Sequence, residues 1–291
     1  MYYEKSNMIH ALVHALEAYK MCEGNLHPET IFSANTLLAY ILYGLGADSE
    51  ADGIMNKMDD YISTKAQFLH VNHKAIHFAK MIKSGNKDAA KEWIDLYASR
   101  AKHLTFYQIC KHYATLRAYI ALEYWALAID IGKRLQHMAV EYNRPLDQIE
   151  SLILTSIALW NNENKAEAAL TFAGAIDIAE VYGFTQHFVN DGIEVLPMLW
   201  ESVSTEFTEN LIKLICKKYK ITANTEAPVI LTPRQKLVLS YLGEGLSYKE
   251  IAVAMGLGIN TVKSHIKLLY KRLGVSSASE AILKAKAVEL F

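Results

Sequence analysis

Apolar residues recur at three- and four-residue steps along most of the chain, and short polar breaks interrupt them. Positions three and four apart share one face of a helix, so this spacing predicts a succession of amphipathic α-helices. The breaks fall near Gly24-Asn25, Gly46-Ala47, Ser84-Gly85, Asn143-Arg144, Asn161-Asn162 and Tyr182-Gly183. Four segments between them look alike, beginning Glu50-Ala51, Ala89-Ala90, Trp125-Ala126 and Glu167-Ala168. With the second residue of each as marker, the spacings are 39, 36 and 42 residues.

That period suits helix-hairpin repeats of the tetratricopeptide kind, slightly lengthened. Between Asn164 and Tyr182, Ala169, Phe172, Ala173, Ile176 and Ala179 form one apolar face, and Ala168, Ala175, Ile178 and Tyr182 a second. A helix apolar on two sides is expected to be sandwiched by neighbours. Residues 1–220 are therefore predicted to form a TPR-like solenoid whose concave surface holds a small-molecule or protein ligand.

The pattern shortens toward the end of the chain. The segment from Lys217 to Val229 is polar and ends at Pro228-Val229, and 221–229 reads as the linker. In 230–291, Thr232 with Gln235, Ser247 with Glu250 and Ser277 with Glu280 have the spacing of capping boxes. Val238, Leu239 and Leu242 give a first apolar stripe, and Ile251, Ala252 and Met255 a second. Val262, Ile266, Leu269 and Leu273 make a third stripe, while Lys263, Ser264, Lys267 and Lys271 line the opposite face. Ala281, Ile282, Ala285 and Val288 follow in a last helix, and Gly256 sits where two central helices turn sharply. The predicted fold is all-α throughout, a repeat solenoid followed by a four-helix helix-turn-helix domain.

Charge divides the chain at the same place. From Val229 onward there are nine Lys/Arg against four Asp/Glu, a net of +5, and the remainder carries −6. A basic tail on an acidic body is the electrostatic footprint of a nucleic-acid binder. Cys22, Cys110 and Cys216 are scattered and odd in number, which suits reduced thiols in the cytoplasm. No signal segment opens the sequence, and its most apolar stretch, Ala118 to Ile129, is broken by Glu123 and too short to span a bilayer.

Candidate chemistry is sparse. No phosphate-binding glycine loop and no nucleophile–base constellation stands out, so an enzyme is not expected and no cofactor is implied. His70, His73 and His77 share a helix face, and His10 and His14 lie four apart. No Cys or acid completes a zinc set at a suitable spacing along the chain, so packing or surface histidines are the expectation and no metal is assigned. Trp93, Tyr97, Tyr107, Tyr113, Tyr119, Tyr124, Trp125 and Trp160 are expected mainly to pack the repeats.

The run from Leu231 through Gly256 to Val275 resembles the LuxR-type DNA-binding domain over that domain's full length. Asn164-Lys165-Ala166-Glu167, Tyr182-Gly183-Phe184 and Phe188-Val189-Asn190-Asp191-Gly192 look like the repeat region of the large LuxR-type regulators, the family of the maltose-regulon activator. Those regulators also carry a signal-transduction ATPase module, which has no counterpart in these residues. The resemblance implies a transcription regulator that binds double-stranded DNA as a dimer, with RNA polymerase a candidate partner. It implies base reading by Lys263, Ser264 and Lys267, and phosphate contacts by Lys249, Asn260, Thr261, Tyr270 and Lys271. It assigns dimerisation to Ser279, Ala281, Ile282 and Ala285. Gly258 and Ile259 depart from the family's capping serine and polar residue, leaving the third helix weakly capped and an isoleucine exposed. Two other readings stay open: a carboxy-terminal piece of a longer ATPase-type regulator, or an interaction scaffold whose tail domain is silent.

Overall fold

One turn device recurs between the helices of the repeats. Gly46, Gly85, Glu123, Asn143, Glu163 and Gly183 all have positive φ, between 51° and 88°. The residue after each bonds back to a carbonyl five positions earlier, as Ala47 to Leu42 (2.9 Å) and Phe184 to Ala179 (2.9 Å). This left-handed cap satisfies the orphan carbonyls of one helix and redirects the chain into the next. Asn86 and Asn164 then cap the following helices by accepting the amides of Ala89 (2.9 Å) and Glu167 (3.4 Å). Pro28 and Pro145 stand at helix starts, where their missing N–H costs nothing.

The computed structural model describes residues 1–22, 26–98, 104–221, 233–255, 257–273, 275 and 277–287. Among them the regular elements are helical and no strand occurs. They are α1 (Met8–Met21), α2 (Pro28–Leu45), α3 (Asp48–Lys65), α4 (His70–Lys83), α5 (Lys87–Tyr97), α6 (Ile109–Ala121), α7 (Trp125–Glu141) and α8 (Pro145–Asn161). There follow α9 (Lys165–Tyr182), α10 (Gln186–Asn190), α11 (Gly192–Glu201), α12 (Glu206–Lys218), α13 (Pro233–Gly243), α14 (Tyr248–Met255), α15 (Ile259–Leu273) and α16 (Ala278–Ala287).

The chain divides into two compact units, Met1–Val195 with Thr205–Leu211, and Leu196–Ser204 with Ile212–Phe291. Packing thus draws Leu196–Ser204 and Ile212–Lys220 into the second unit, upstream of the break that composition suggests at 220. Residues 222–229 of the expected linker lie outside the described residues.

In the first unit α1 to α9 pack each on the next, most extensively α7 on α8 and α8 on α9. Ala51, Ala90 and Ala168 are fully buried, as their shared context predicts, but Ala126 is exposed and Ala128 is buried instead. With Ala128 as marker the spacings become 39, 38 and 40 residues, more regular than the sequence pattern suggests. Ala168, Phe172, Ala175, Ile176 and Ala179 of α9 form one buried stripe. Ala169 and Ala173 are exposed, so the expected two-sided sandwich does not form: a single stripe suffices to dock α9. Helices approach most closely where side chains are smallest, and a Cβ at Gly132 of α7 would collide with Thr155 Oγ1 of α8.

The Phe188-to-Gly192 element is a structural lock. Phe188 is buried against Phe172 and Phe207, with ring centroids at 5.7 and 6.5 Å. Asp191 accepts both guanidinium nitrogens of Arg117 (2.7 and 3.1 Å) and pairs with Lys83 Nζ (3.0 Å). Arg117 also donates to Glu150 (2.9 Å). Two cations hold the Asp191 carboxyl well below the usual carboxylate range despite its burial. The amino-terminal segment joins the same region, where the amides of Thr185 and Gln186 donate to the Glu4 carbonyl (2.7 and 3.0 Å). The first residues therefore tie directly to the end of the array.

Candidate nucleic-acid interface

The second unit contains its own apolar core within α13–α16. Val238, Leu239, Leu242, Ile251, Ala252, Val262, Ile266, Leu269, Leu273, Ala281 and Ala285 are buried together. The stripes predicted on α13, α14 and α15 all contribute to it, with Met255 half-buried at its edge. The start of α14 is built as its capping box predicts. Ser247 N–H donates to Glu250 Oε2 (2.7 Å), and Glu250 N–H donates to Ser247 Oγ (3.4 Å). At α16, Glu280 N–H donates to Ser277 Oγ (3.2 Å). Of the third box, Thr232 lies outside the described residues, as do Gly256 and the side chain of Gln235.

Burying Val262, Ile266, Leu269 and Leu273 inward forces the other face of α15 into solvent. Thr261, Lys263 and Lys267 are exposed there, and Lys249 is exposed on α14. Lys263 and Lys267 lie four residues apart, so their ammonium groups project from one helix face one turn apart. Among the described residues neither is held in an ion pair. Ser264, Asn260, Lys271 and Ser279, also predicted as site residues, have side chains outside the described residues.

Three expectations need correction. Tyr270 is expected to touch the DNA backbone, but it is half-buried against the domain core and its hydroxyl is shielded from solvent. Burial, with Tyr248 beside it, pushes that phenol's pKa up. Ala281 and Ala285, expected on a dimer face, are fully buried in the core, because a four-helix domain this small needs both to seal α16 onto α13 and α15. Ile282 alone of the described dimer candidates is partly exposed. Ile259 is not exposed either; it packs on the core at the start of α15, while Gly258 supplies the carbonyl that accepts the Val262 amide (3.1 Å).

Elsewhere the aromatics divide. Trp93 is fully buried, stacks on Tyr97 at 4.7 Å and donates to Thr115 Oγ1 (3.0 Å), as packing predicts. Tyr107 and Tyr124 stand in solvent instead. His70 is exposed and stays apart from His73 and His77, which face an acid that linear spacing does not reveal, Asp59 of α3.

Residues 1–205 match the model of the MalT-like TPR region. The chain belongs to this family. Residues 229–285 match the model of bacterial regulatory proteins of the luxR family, spanning α13, α14, α15 and most of α16. Among individual proteins, the HTH-type transcriptional regulator MalT of Yersinia enterocolitica is 25% identical over 166 residues, covering 48% of this chain and 18% of its own. The protein of the same name in Yersinia pestis strain Pestoides F matches to the same extent. The chain thus matches about a fifth of the length of these curated relatives. No solved structure matches it significantly. No helix among the described residues is long and apolar enough to cross a membrane.

Proposed function

We propose that this MalT-like chain is a DNA-binding transcription regulator acting in the cytoplasm, and that α15 is its major-groove reader. The exposed cationic face of α15, set against a fully apolar buried face on the same helix, carries the proposal. Lysine donates to guanine O6 and N7 in the major groove, and a helix of this diameter fits there. Lys263 and Lys267, with Ser264, are assigned to base edges. Lys249, Asn260, Thr261 and Lys271 are assigned to phosphates, as fits the exposed amine of Lys249 and the amino-terminal turn of α15. Residues 230–291 work as a module behind the 221–229 linker, and two copies pair on DNA around Ile282. The repeats receive the signal, a small molecule or a protein.

Fluorescence anisotropy on a selected operator tests this. Lys263→Ala and Lys267→Ala each weaken specific binding by about 1–3 kcal/mol with helical content unchanged. Lys249→Ala weakens specific and random duplexes alike and flattens the salt dependence by about one unit of slope. Wild-type affinity in the Lys263→Ala/Lys267→Ala double variant removes α15 as the reader.

A further inference from the structure

Three nitrogen and oxygen donors converge between α3 and α4, far along the chain from the DNA-binding module. His73 and His77 lie one turn apart on α4 and turn their Nε2 atoms toward each other, 3.3 Å apart. Asp59 reaches across from α3, its Oδ1 3.2 Å from His73 Nε2 and its Oδ2 3.9 Å from His77 Nε2. We propose that Asp59, His73 and His77 form a binding site for a divalent transition metal of the zinc class. The proposal is independent of the DNA-binding reading.

The geometry suits the ion. Zinc binds imidazole nitrogen and carboxylate oxygen at about 2.0–2.2 Å, so a tetrahedral site spaces its ligand atoms roughly 3.3 Å apart. Two of the three separations here, 3.2 and 3.3 Å, already have that value. Two facing imidazole nitrogens can place only one proton between them. The arrangement leaves at least one lone pair directed into the cluster, where a cation would use both. Burial pushes the His73 imidazole down to about 4, and burial also lowers His77. His73 is almost fully buried (1% exposed), while His77 (30%) and Asp59 (38%) open the cluster on one side. A metal can enter there, and a water can take the fourth position.

Lys74 is the competing cation. Its Nζ lies 3.0 Å from Asp59 Oδ1 and must yield to the metal or share the carboxylate with it. Its charge opposes the ion, so Lys74 sets the affinity below that of a dedicated zinc site. The site has a mechanical consequence. α3 and α4 meet along only a short stretch, and a metal bridging them would staple α1–α3 to the helices that follow.

The test uses the full chain, stripped with chelator and titrated with Co2+ and then Zn2+. One Co2+ binds per chain, with the visible absorption of a four- or five-coordinate nitrogen–oxygen site, and Zn2+ displaces it and raises the melting temperature. Asp59→Asn and His77→Ala each weaken binding about tenfold or more. Lys74→Gln tightens it severalfold, a gain that a merely damaged fold would not give. His10→Ala, in the exposed histidine pair of α1, leaves it unchanged. The proposal is overturned by the lack of saturable one-to-one binding, by undiminished affinity in either folded ligand variant, or by loss of binding in His10→Ala.

Discussion

Arg117 shows how one residue can hold distant stretches of chain together. Its guanidinium joins Glu150 of α8, 33 residues on from Arg117, to Asp191, 74 residues on from it. Buried charges of this kind become costly once a partner is removed. Asp191→Asn leaves Lys83 and Arg117 undercompensated and should cost about 3–5 kcal/mol in chemical denaturation. A loss under about 1 kcal/mol would mean water already screens the network. The Asp191 carboxyl is held low, so its contribution is complete above the ordinary Asp value of about 4 and fades only as pH falls below it. His112 acts at higher pH. Burial, with Lys111 beside it, pushes its imidazole down to about 4, and its Nε2 accepts the Thr105 amide (3.0 Å). The unfolded chain takes up this proton near 6.5, so stability from a neutral His112 is complete above that value and lost as pH falls from there toward 4. His112→Gln keeps an acceptor and should show a smaller drop in melting temperature between pH 7 and pH 5. An unchanged drop would clear His112 of that role. Neither residue's role was legible in the sequence, because Arg117 and His112 carry no local signature and their partners are fixed by the packed array.

Helices were legible where glycine, asparagine or proline marked their ends, as at Gly46, Asn143 and Gly183. The turn at Glu123 was not, because it lies inside the apolar stretch Ala118 to Ile129 and a glutamate takes the left-handed position there. The same hidden turn explains the misplaced repeat marker at Ala126. Glycines within helices give predictions of opposite sign. At Gly132 a Cβ meets Thr155 Oγ1, whose hydroxyl is committed to the Ser151 carbonyl (2.7 Å). Gly132→Ala should cost about 1–3 kcal/mol through overpacking, although alanine is the better helix former. Gly53 in α3 has nothing within 4 Å of its Cβ position. Gly53→Ala should therefore stabilise by about 0.5–1 kcal/mol. Thermal denaturation of both variants decides the matter, and shifts of equal sign would contradict the close α7–α8 approach.

At the scale of the whole molecule, the two kinds of pattern, long repeats and then short capped helices, were legible in the amino-acid sequence. Their signals are local: 3.6-residue periodicity, caps and charge. The inward turn of Ala281, Ala285 and Tyr270 was not legible, because an alanine or tyrosine on a short amphipathic helix suits either a core or a contact face, and only the closing of the four-helix core decides. That core lies entirely within 233–287. Residues 222–291 should accordingly unfold cooperatively as an isolated fragment and bind duplex DNA weakly, whereas a molten fragment would mean the module depends on the rest of the chain. The central claim is that the exposed lysine face of α15 selects DNA sequences. The most direct measurement is enrichment of genomic fragments by the full chain at fixed, near-physiological salt, followed by sequencing. The wild type should enrich a small set of fragments sharing a paired motif, and the Lys263→Ala/Lys267→Ala variant should enrich none above background. Enrichment of the same fragments by both proteins, or of no fragments by the wild type, would contradict the account.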